Sequence, residues 1–197
     1  MKKIILVAIL LTALFSCSND ESKMKSGIVD YLNKNAKDPK SYEFVELKVI
    51  DTITAGECAK DLIESNISLI AEKKLEIQEK ENEIINAQQD LDYNEFKVDF
   101  DNIINLSKKT IKLCNDAIND YEKENIKLKK ITNLKDIVFY NSNHKFRLKN
   151  GFGALDLEQQ LVLFDKEFNA KYMTIDILDF ENEKVRLFKE TDFYNNL

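Results

Sequence analysis

The polar and apolar positions change period several times along the chain, and each change predicts an element. Met1-Lys2-Lys3 precedes an apolar run from Ile4 to Leu11 that extends through Thr12 to Phe15. Between residues 23 and 36, Ile28, Val29, Tyr31 and Leu32 fall on one side of a helical period, which predicts a helix. Pro39 ends it, because a proline biases the residue before it away from helical geometry. From Tyr42 the period is two: Tyr42 and Phe44 alternate with Glu43 and Val45, and Val49 and Ile50 extend the predicted strand. Gly56 reads as a break. Beyond it Ile63, Ile70, Ile77, Ile84 and Leu91 recur at seven-residue spacing, widened by Leu62, Ile67 and Leu69. A second set, Ile104, Ser107, Ile111, Cys114, Ile118, Tyr121 and Leu128, continues in the same manner. Apolar residues at this spacing among many Glu and Lys predict two coiled-coil helices.

Asp92-Tyr93-Asn94-Glu95 fits a capping box and places the turn between the helices at Gln88 to Asp92. In an antiparallel pair, facing residues share a constant sum of numbers. Ile84 with Phe96, Ile77 with Ile103 and Ile63 with Ile118 give a sum of about 180, the register expected here. It sets Cys58 opposite Glu122 and Cys114 opposite Asn66, too far apart along the pair for a disulfide. After Ile131 the period returns to two. Asp136 to Tyr140 predicts a strand that His144 to Leu148 either continues or pairs with across Asn141-Ser142-Asn143. Asn150 to Gly153 is a turn, Leu155 to Phe164 a strand, Asp165 to Asn169 a turn, Lys171 to Ile177 a strand and Glu181 to Lys189 a short helix. The expected fold is therefore α+β. A small antiparallel sheet with an N-terminal helix spans residues 23–54 and 132–197, and an antiparallel helical hairpin, 56–131, is inserted between the first and later strands.

The N-terminus changes the picture most. Two lysines before a short apolar run are a secretory signal. The run is shorter than the ~20 apolar residues a bilayer span needs. It ends in Leu14-Phe15-Ser16-Cys17, which matches a lipobox: an aliphatic residue, two intervening positions of which the second is small, then cysteine. The expectation is a signal peptide over 1–16, cleavage between Ser16 and Cys17, acyl chains on Cys17, and a tether over 17–22. More than one chain on a residue is what makes such an anchor stable. Ser18-Asn19-Asp20-Glu21-Ser22 is a short acidic stretch of the kind that exports lipoproteins to the cell surface, so surface and periplasmic orientations both stay open.

Of 197 residues, 29 are Lys or Arg and 35 Asp or Glu, a net charge of −6. Removing Lys2 and Lys3 with the signal leaves 27 basic against 35 acidic, or −8. That excess argues against nucleic acid and against attraction of the protein surface to anionic lipid. Four glycines and one proline fit long regular elements. With His144 the only histidine and no CxxC, an ordinary metal site lacks ligands, and neither a metal nor a cofactor is expected.

The remaining candidates for chemistry are few. On a strand, Lys145, Arg147 and Lys149 share one face and His144, Phe146 and Leu148 the other. The basic trio reads as an anion-binding face or, preferably, as a solvated strand face. His144, among apolar neighbours, reads as a packed histidine rather than a general base. Asn150-Gly151-Phe152-Gly153 lacks the following helix that a phosphate loop needs. Carboxylates such as Asp176 and Asp179 are too numerous to single out an acid and base pair.

Two stretches together resemble a known family. Tyr31-Leu32 through Asp38-Pro39-Lys40-Ser41-Tyr42-Glu43 reads as a helix and a DP-x-S-Y-E strand entry. His144-Lys145-Phe146-Arg147-Leu148-Lys149-Asn150, followed by Gly151-Phe152-Gly153 and later Leu163-Phe164-Asp165, reads as an H-x-F/Y-R-x-K-N…G segment closing in a strand and Asp. Both resemble a family of small, uncharacterised Bacteroidota lipoproteins whose two halves flank a helical hairpin. The resemblance implies the architecture and a bacterial source, and it carries over no functional residues. The expected function is that of a membrane-anchored lipoprotein of the bacterial envelope, at the outer membrane. It would be a non-catalytic module that contacts an envelope protein or serves a structural role. The alternatives are an envelope hydrolase with unassigned carboxylates, or an inhibitor or immunity lipoprotein.

Overall fold

The computed structural model describes the backbone of residues 2–91 and 97–197, and side chains over 19–89 and 100–197. The chain is α+β and divides into two units, Met1–Cys58 with Asn133–Asn196, and Ala59–Thr132.

In the first unit, helix α1 runs Lys2–Asn35. Residues 17–22, expected as a tether, continue this helix. Neither Gly nor Pro interrupts them, and ion pairs one turn apart, Lys23 with Asp20 and Lys25 with Glu21, support the helix. A 3-10 turn at Pro39–Ser41 leads into strand β1, Glu43–Thr54. Strands β2, Ile137–Lys149, β3, Leu155–Asp165, and β4, Ala170–Thr174, complete an antiparallel sheet in the order β1-β2-β3-β4. The two candidate strands around Asn141-Ser142-Asn143 are thus one. Strand β4 stops short of Ile177 because Asp176 turns the chain into helix α4, Ile177–Lys189, which starts earlier than expected. A last helical turn, α5, spans Asp192–Asn195.

The pleat divides the core. Phe146, Val162, Phe164 and Met173 pack against Met24, Ile28 and Leu32 of α1. Each such side chain, fully buried, contributes about 1.5–3 kcal/mol. Phe139 and Leu163 point to the opposite face, where α4 touches β3 and β4 and buries Phe180, Leu187 and Phe188. Gly27 lets α1 approach the β3–β4 turn: a Cβ there would lie 2.3 Å from the Phe168 carbonyl oxygen. That turn, the exit of β1 and the entry of β2 share one end of the sheet, since Thr54 pairs with Ile137 and Phe139 with Asp165. The β2–β3 turn, Asn150 to Ala154, is at the other end, roughly 40 Å away at strand rise.

Gly56 does not break the chain. Helix α2 begins at Ala55 and runs to Leu91. Thr54 and Glu57 form a capping box: Glu57 Oε2 accepts from the Thr54 amide at 2.7 Å, and the Glu57 amide donates to Thr54 Oγ1 at 3.3 Å. These hydrogen bonds, from the Thr54 backbone foremost, hold the Glu57 carboxyl below its ordinary range.

In the second unit, α2 pairs with α3, Lys97–Leu128. The pairing is antiparallel but its register is not the one expected. Asn66 Nδ2 donates to Glu124 Oε2 at 2.8 Å and to Asn125 Oδ1 at 3.0 Å, and Ser107 Oγ donates to Glu83 Oε2 at 2.9 Å. These pairs sum to about 190, so each α2 residue faces an α3 residue some ten positions later than the isoleucines indicate. Gln88 to Leu91, placed in the turn from the sequence, are helical. The proposed cap at Asp92 and Glu95 lies outside the described residues. The reason is chemical: the α2 seam is Leu62, Asn66 and Ala87, all buried, with half-buried Lys73, Glu76 and Lys80 between them. Ile63, Ile70, Ile77 and Ile84 flank it, half-buried. The α3 seam is as expected, with Ile104, Ser107, Cys114, Ile118 and Leu128 buried.

The register has a direct check. The double substitution Lys80→Cys with Thr110→Cys, on the observed sum, should form a disulfide under mild oxidation. Ile70→Cys with Thr110→Cys, on the sequence-derived sum, should not. The reverse pattern on non-reducing gels would contradict the observed register and support the sum of about 180.

Candidate functional site

Cys17, the expected attachment residue, and Ser16 before it lie on α1, in the part whose backbone alone is described. Among the described residues no helix is long and apolar enough to cross a membrane. The helix reaches the sheet at Met24, Gly27 and Ile28, beside the β3–β4 turn, where Lys23 sits 5.5 Å from the Phe168 ring centre. Following α1 back towards Cys17 therefore leads away past that end of the sheet. The Asn150–Ala154 turn stands at the far end.

His144 is fully buried, and its ring is fixed on both sides. Nδ1 is 2.8 Å from the Glu46 carbonyl oxygen and Nε2 is 3.0 Å from Tyr42 Oη. A carbonyl can only accept, so Nδ1 carries the proton and Nε2 accepts from the phenol. Phe146 stacks on the ring at a centroid distance of 5.0 Å, and Phe44 lies 5.4 Å away. Lys25 Nζ is 4.1 Å from the Phe44 ring centre. Burial pushes His144 down, with the Glu46 hydrogen bond opposing, and burial pushes Tyr42 up to about 12. This is the packed histidine the sequence indicates: it ties Tyr42, at the entry of β1, to β2.

A pH dependence follows. His144 titrates below its ordinary 6.5 when folded, so just below that pH the unfolded chain binds the extra proton. The stability this group provides is complete above pH 6.5 and is lost as pH falls below it. Urea denaturation at pH 7.5 and 5.0 should show the loss, and His144→Gln should show a smaller one. An equal loss in both would place the acid sensitivity elsewhere.

The basic trio is largely neutralised from β1. Lys145 Nζ lies 3.0 Å from Glu46 Oε2, and Arg147 Nη1 lies 3.7 Å from Glu43 Oε2. The solvated-face reading fits these pairs better than an anion site. Asp176 is the N-cap of α4, its Oδ1 accepting from the Leu178 amide at 2.7 Å and the Asp179 amide at 3.3 Å. Asp179 sits in the first helical turn, where its charge favours the helix dipole. Neither carboxylate is arranged for acid and base work.

A cavity of about 340 Å³ opens beside the β3–β4 turn, over Val138, Phe139 and Leu187, with Asp165, Glu190 and Asp192 at its rim. Asp165 is committed to the turn: Oδ1 accepts from the Glu167 amide at 3.0 Å and the Asn169 amide at 2.9 Å. Glu190 pairs with Arg186. Among the described residues, no group of His, Cys, Asp and Glu is placed to hold a metal ion.

Cys58 and Cys114 are both buried, and neither is in a disulfide. Cys114 lies beside Glu76 rather than Asn66, and burial, reinforced by that carboxylate, pushes its thiol up. Denaturing alkylation without reductant should label both thiols. Native alkylation should label neither within minutes, and fast native labelling would show that the thiols are open to solvent.

The most exposed large apolar side chain among the described residues was not singled out by sequence reasoning. Phe152 is 98 % exposed on a turn held by hydrogen bonds to the Asn150 side chain. Asn150 Oδ1 accepts from the Phe152 amide at 2.9 Å and the Ala154 amide at 3.1 Å, Asn150 Nδ2 donates to Asp156 at 2.8 Å, and Gly153 takes a φ of 84°. Leu155 and Leu157 follow, exposed on β3. The signal was in the sequence, an aromatic residue between two glycines, but a turn alone does not tell how far its side chain is uncovered. No protein-family model, curated protein or solved structure matches this chain.

Proposed function

We propose that the chain is a lipoprotein of the bacterial envelope, held at the outer membrane by acyl chains on Cys17, and that it binds another protein rather than catalysing a reaction. The lipobox supports the anchor. One observation carries the binding reading: Phe152, Leu155 and Leu157 are uncovered on a preorganised turn and strand, at the end of the sheet opposite α1's approach. Exposed aromatic anchors on a rigid support are the usual centres of protein interfaces. Facing away from the anchor, they meet proteins before they meet the anchoring membrane. The Bacteroidota family resemblance is consistent with this reading and is proposed with it.

A photo-crosslinking residue at Phe152 or Leu157, in growing cells, should give one discrete protein adduct. The same residue at Lys60 on α2 should not. Adducts to lipid alone would overturn the reading. An envelope hydrolase is the second reading, favoured by the carboxylates around the 340 Å³ cavity. Asp165 and Glu190 already serve the fold, which leaves that reading little catalytic machinery.

A further inference from the structure

The sheet has two edges, and they are finished differently. Strand β1 is 12 residues long and pairs only with β2. Its register shifts between Phe44 and Glu46, between Val49 and Asp51, and between Ile53 and Thr54. Val45 and Ile50 are bulged out of the pairing and exposed. Bulges of this kind blunt an edge against further strands. On the other side β4 pairs only with Leu161 to Phe164 of β3 and then leaves the sheet. Leu155 to Gln160 therefore pair with β2 on one side and, among the described residues, with no strand on the other. Their register with β2 runs without a bulge from Lys149–Leu155 to Phe139–Asp165. This stretch contains no Pro, Lys or Gly, and Leu155, Asp156, Leu157 and Gln159 are exposed. Where β4 departs, Ile175 is 81 % exposed, and Ile177 and Leu178 are exposed beside it. The molecule thus holds a vacant, regular strand lane with an apolar shelf at its inner end.

We propose that this lane is a strand-addition site: an extended segment of a partner protein continues the line of β4 along Leu155–Gln160. This rests on the protein-binding reading above and names its chemistry. Backbone amides and carbonyls of alternate β3 residues supply the affinity, and side chains on the two faces supply the selection. On one face the incoming strand meets Leu155 and Leu157, so its residues there are apolar. On the other it meets Asp156 and Glu158, so its residues there are basic. The same charges disfavour a second copy of this chain. An antiparallel pairing of two β3 edges, with Asp156 opposite the other copy's Glu158, sets like charges directly across from each other. The partner segment is therefore an alternating apolar and basic strand from a different protein.

The probe is a capped octapeptide of alternating Lys and Val, compared with a block-ordered peptide of the same composition and with a Glu-Val repeat. Hydrogen exchange by the full chain in detergent is read by mass spectrometry. The Lys-Val peptide should slow exchange across 155–160 and leave β1 unchanged, and the block peptide should do neither. Asp156→Lys with Glu158→Lys should weaken the Lys-Val peptide by about ten-fold or more and let the Glu-Val peptide bind instead. Leu157→Pro should abolish protection by both. No protection at millimolar peptide, protection on β1, a charge-reversed double variant with unchanged preference, or a dimer that occludes 155–160 would each overturn the proposal. The two readings fail separately. Absent peptide protection alongside a Phe152 adduct removes strand addition and leaves protein binding. Peptide protection without any protein adduct in cells shows a competent lane and removes the binding reading.

Discussion

Cys17→Ser should abolish incorporation of a fatty-acid probe and leave the chain either unprocessed or free of the membrane pellet. The argument is one of chemistry and number. A serine hydroxyl is not the thiol that accepts the diacylglyceryl group, and without it cleavage before residue 17 has no modified substrate. Each buried methylene of an acyl chain contributes about 0.8 kcal/mol to membrane binding, so losing two or three chains removes nearly all of it. The acidic surface offers no substitute, since the processed chain would carry −8. Probe retained in the Cys17→Ser protein would show that the lipid is attached elsewhere.

Gly27→Ala should be the most damaging of the small substitutions. Its Cβ would lie 2.3 Å from the Phe168 carbonyl oxygen, 3.0 Å from the Ala170 amide nitrogen and 3.2 Å from the Asn169 Cα. All three are backbone atoms, and Phe168 already holds a φ of 68°, so the turn has little freedom to withdraw. Helix α1 must instead lift from a core that includes Ile28 and Phe164. Overpacking of this kind costs about 1–3 kcal/mol, at the upper end here because backbone must move. Gly151→Ala is the control, with nothing within 4 Å of its added methyl group and no positive φ. Urea midpoints should fall clearly for the first and stay within error for the second. Equal midpoints would mean that α1 does not sit so close to the turn.

What the sequence made legible follows the strength of each pattern. The strand around Phe146 and the α3 seam from Ile104 to Leu128 were read correctly because their apolar positions keep period. The role of His144 was legible from its neighbours on the strand. The α2 seam was not, because Asn66, Lys73, Glu76 and Lys80 occupy it while isoleucines sit beside it, so the apolar stripe indicated the wrong register. The Asn141-Ser142-Asn143 stretch left a turn and a continuing strand equally open. Pairing on both sides, to β1 and β3, decides between them and keeps the strand continuous. It does so although Asn141 Oδ1, Ser142 Oγ and Asn143 Oδ1 are buried with no protein partner. The Thr54–Glu57 box was present in the sequence as T-x-x-E but was hidden by Gly56, which reads as a breaker. Gly56 is there for space: a Cβ would stand 2.8 Å from the Leu134 carbonyl oxygen. The open β3 edge could not be read from the sequence, since the length of β4 depends on where Asp176 begins the next helix.

The central claim is that this chain works as a lipid-anchored envelope protein, and the intact mass of the protein extracted from membranes tests it most directly. The account predicts a chain that begins at Cys17 and carries the added mass of a diacylglyceryl group, with the lipid mapped to the N-terminal peptide containing Ser18 to Lys23. A chain that still holds Met1 to Ser16, or one that begins at another residue with Cys17 unmodified, would contradict it.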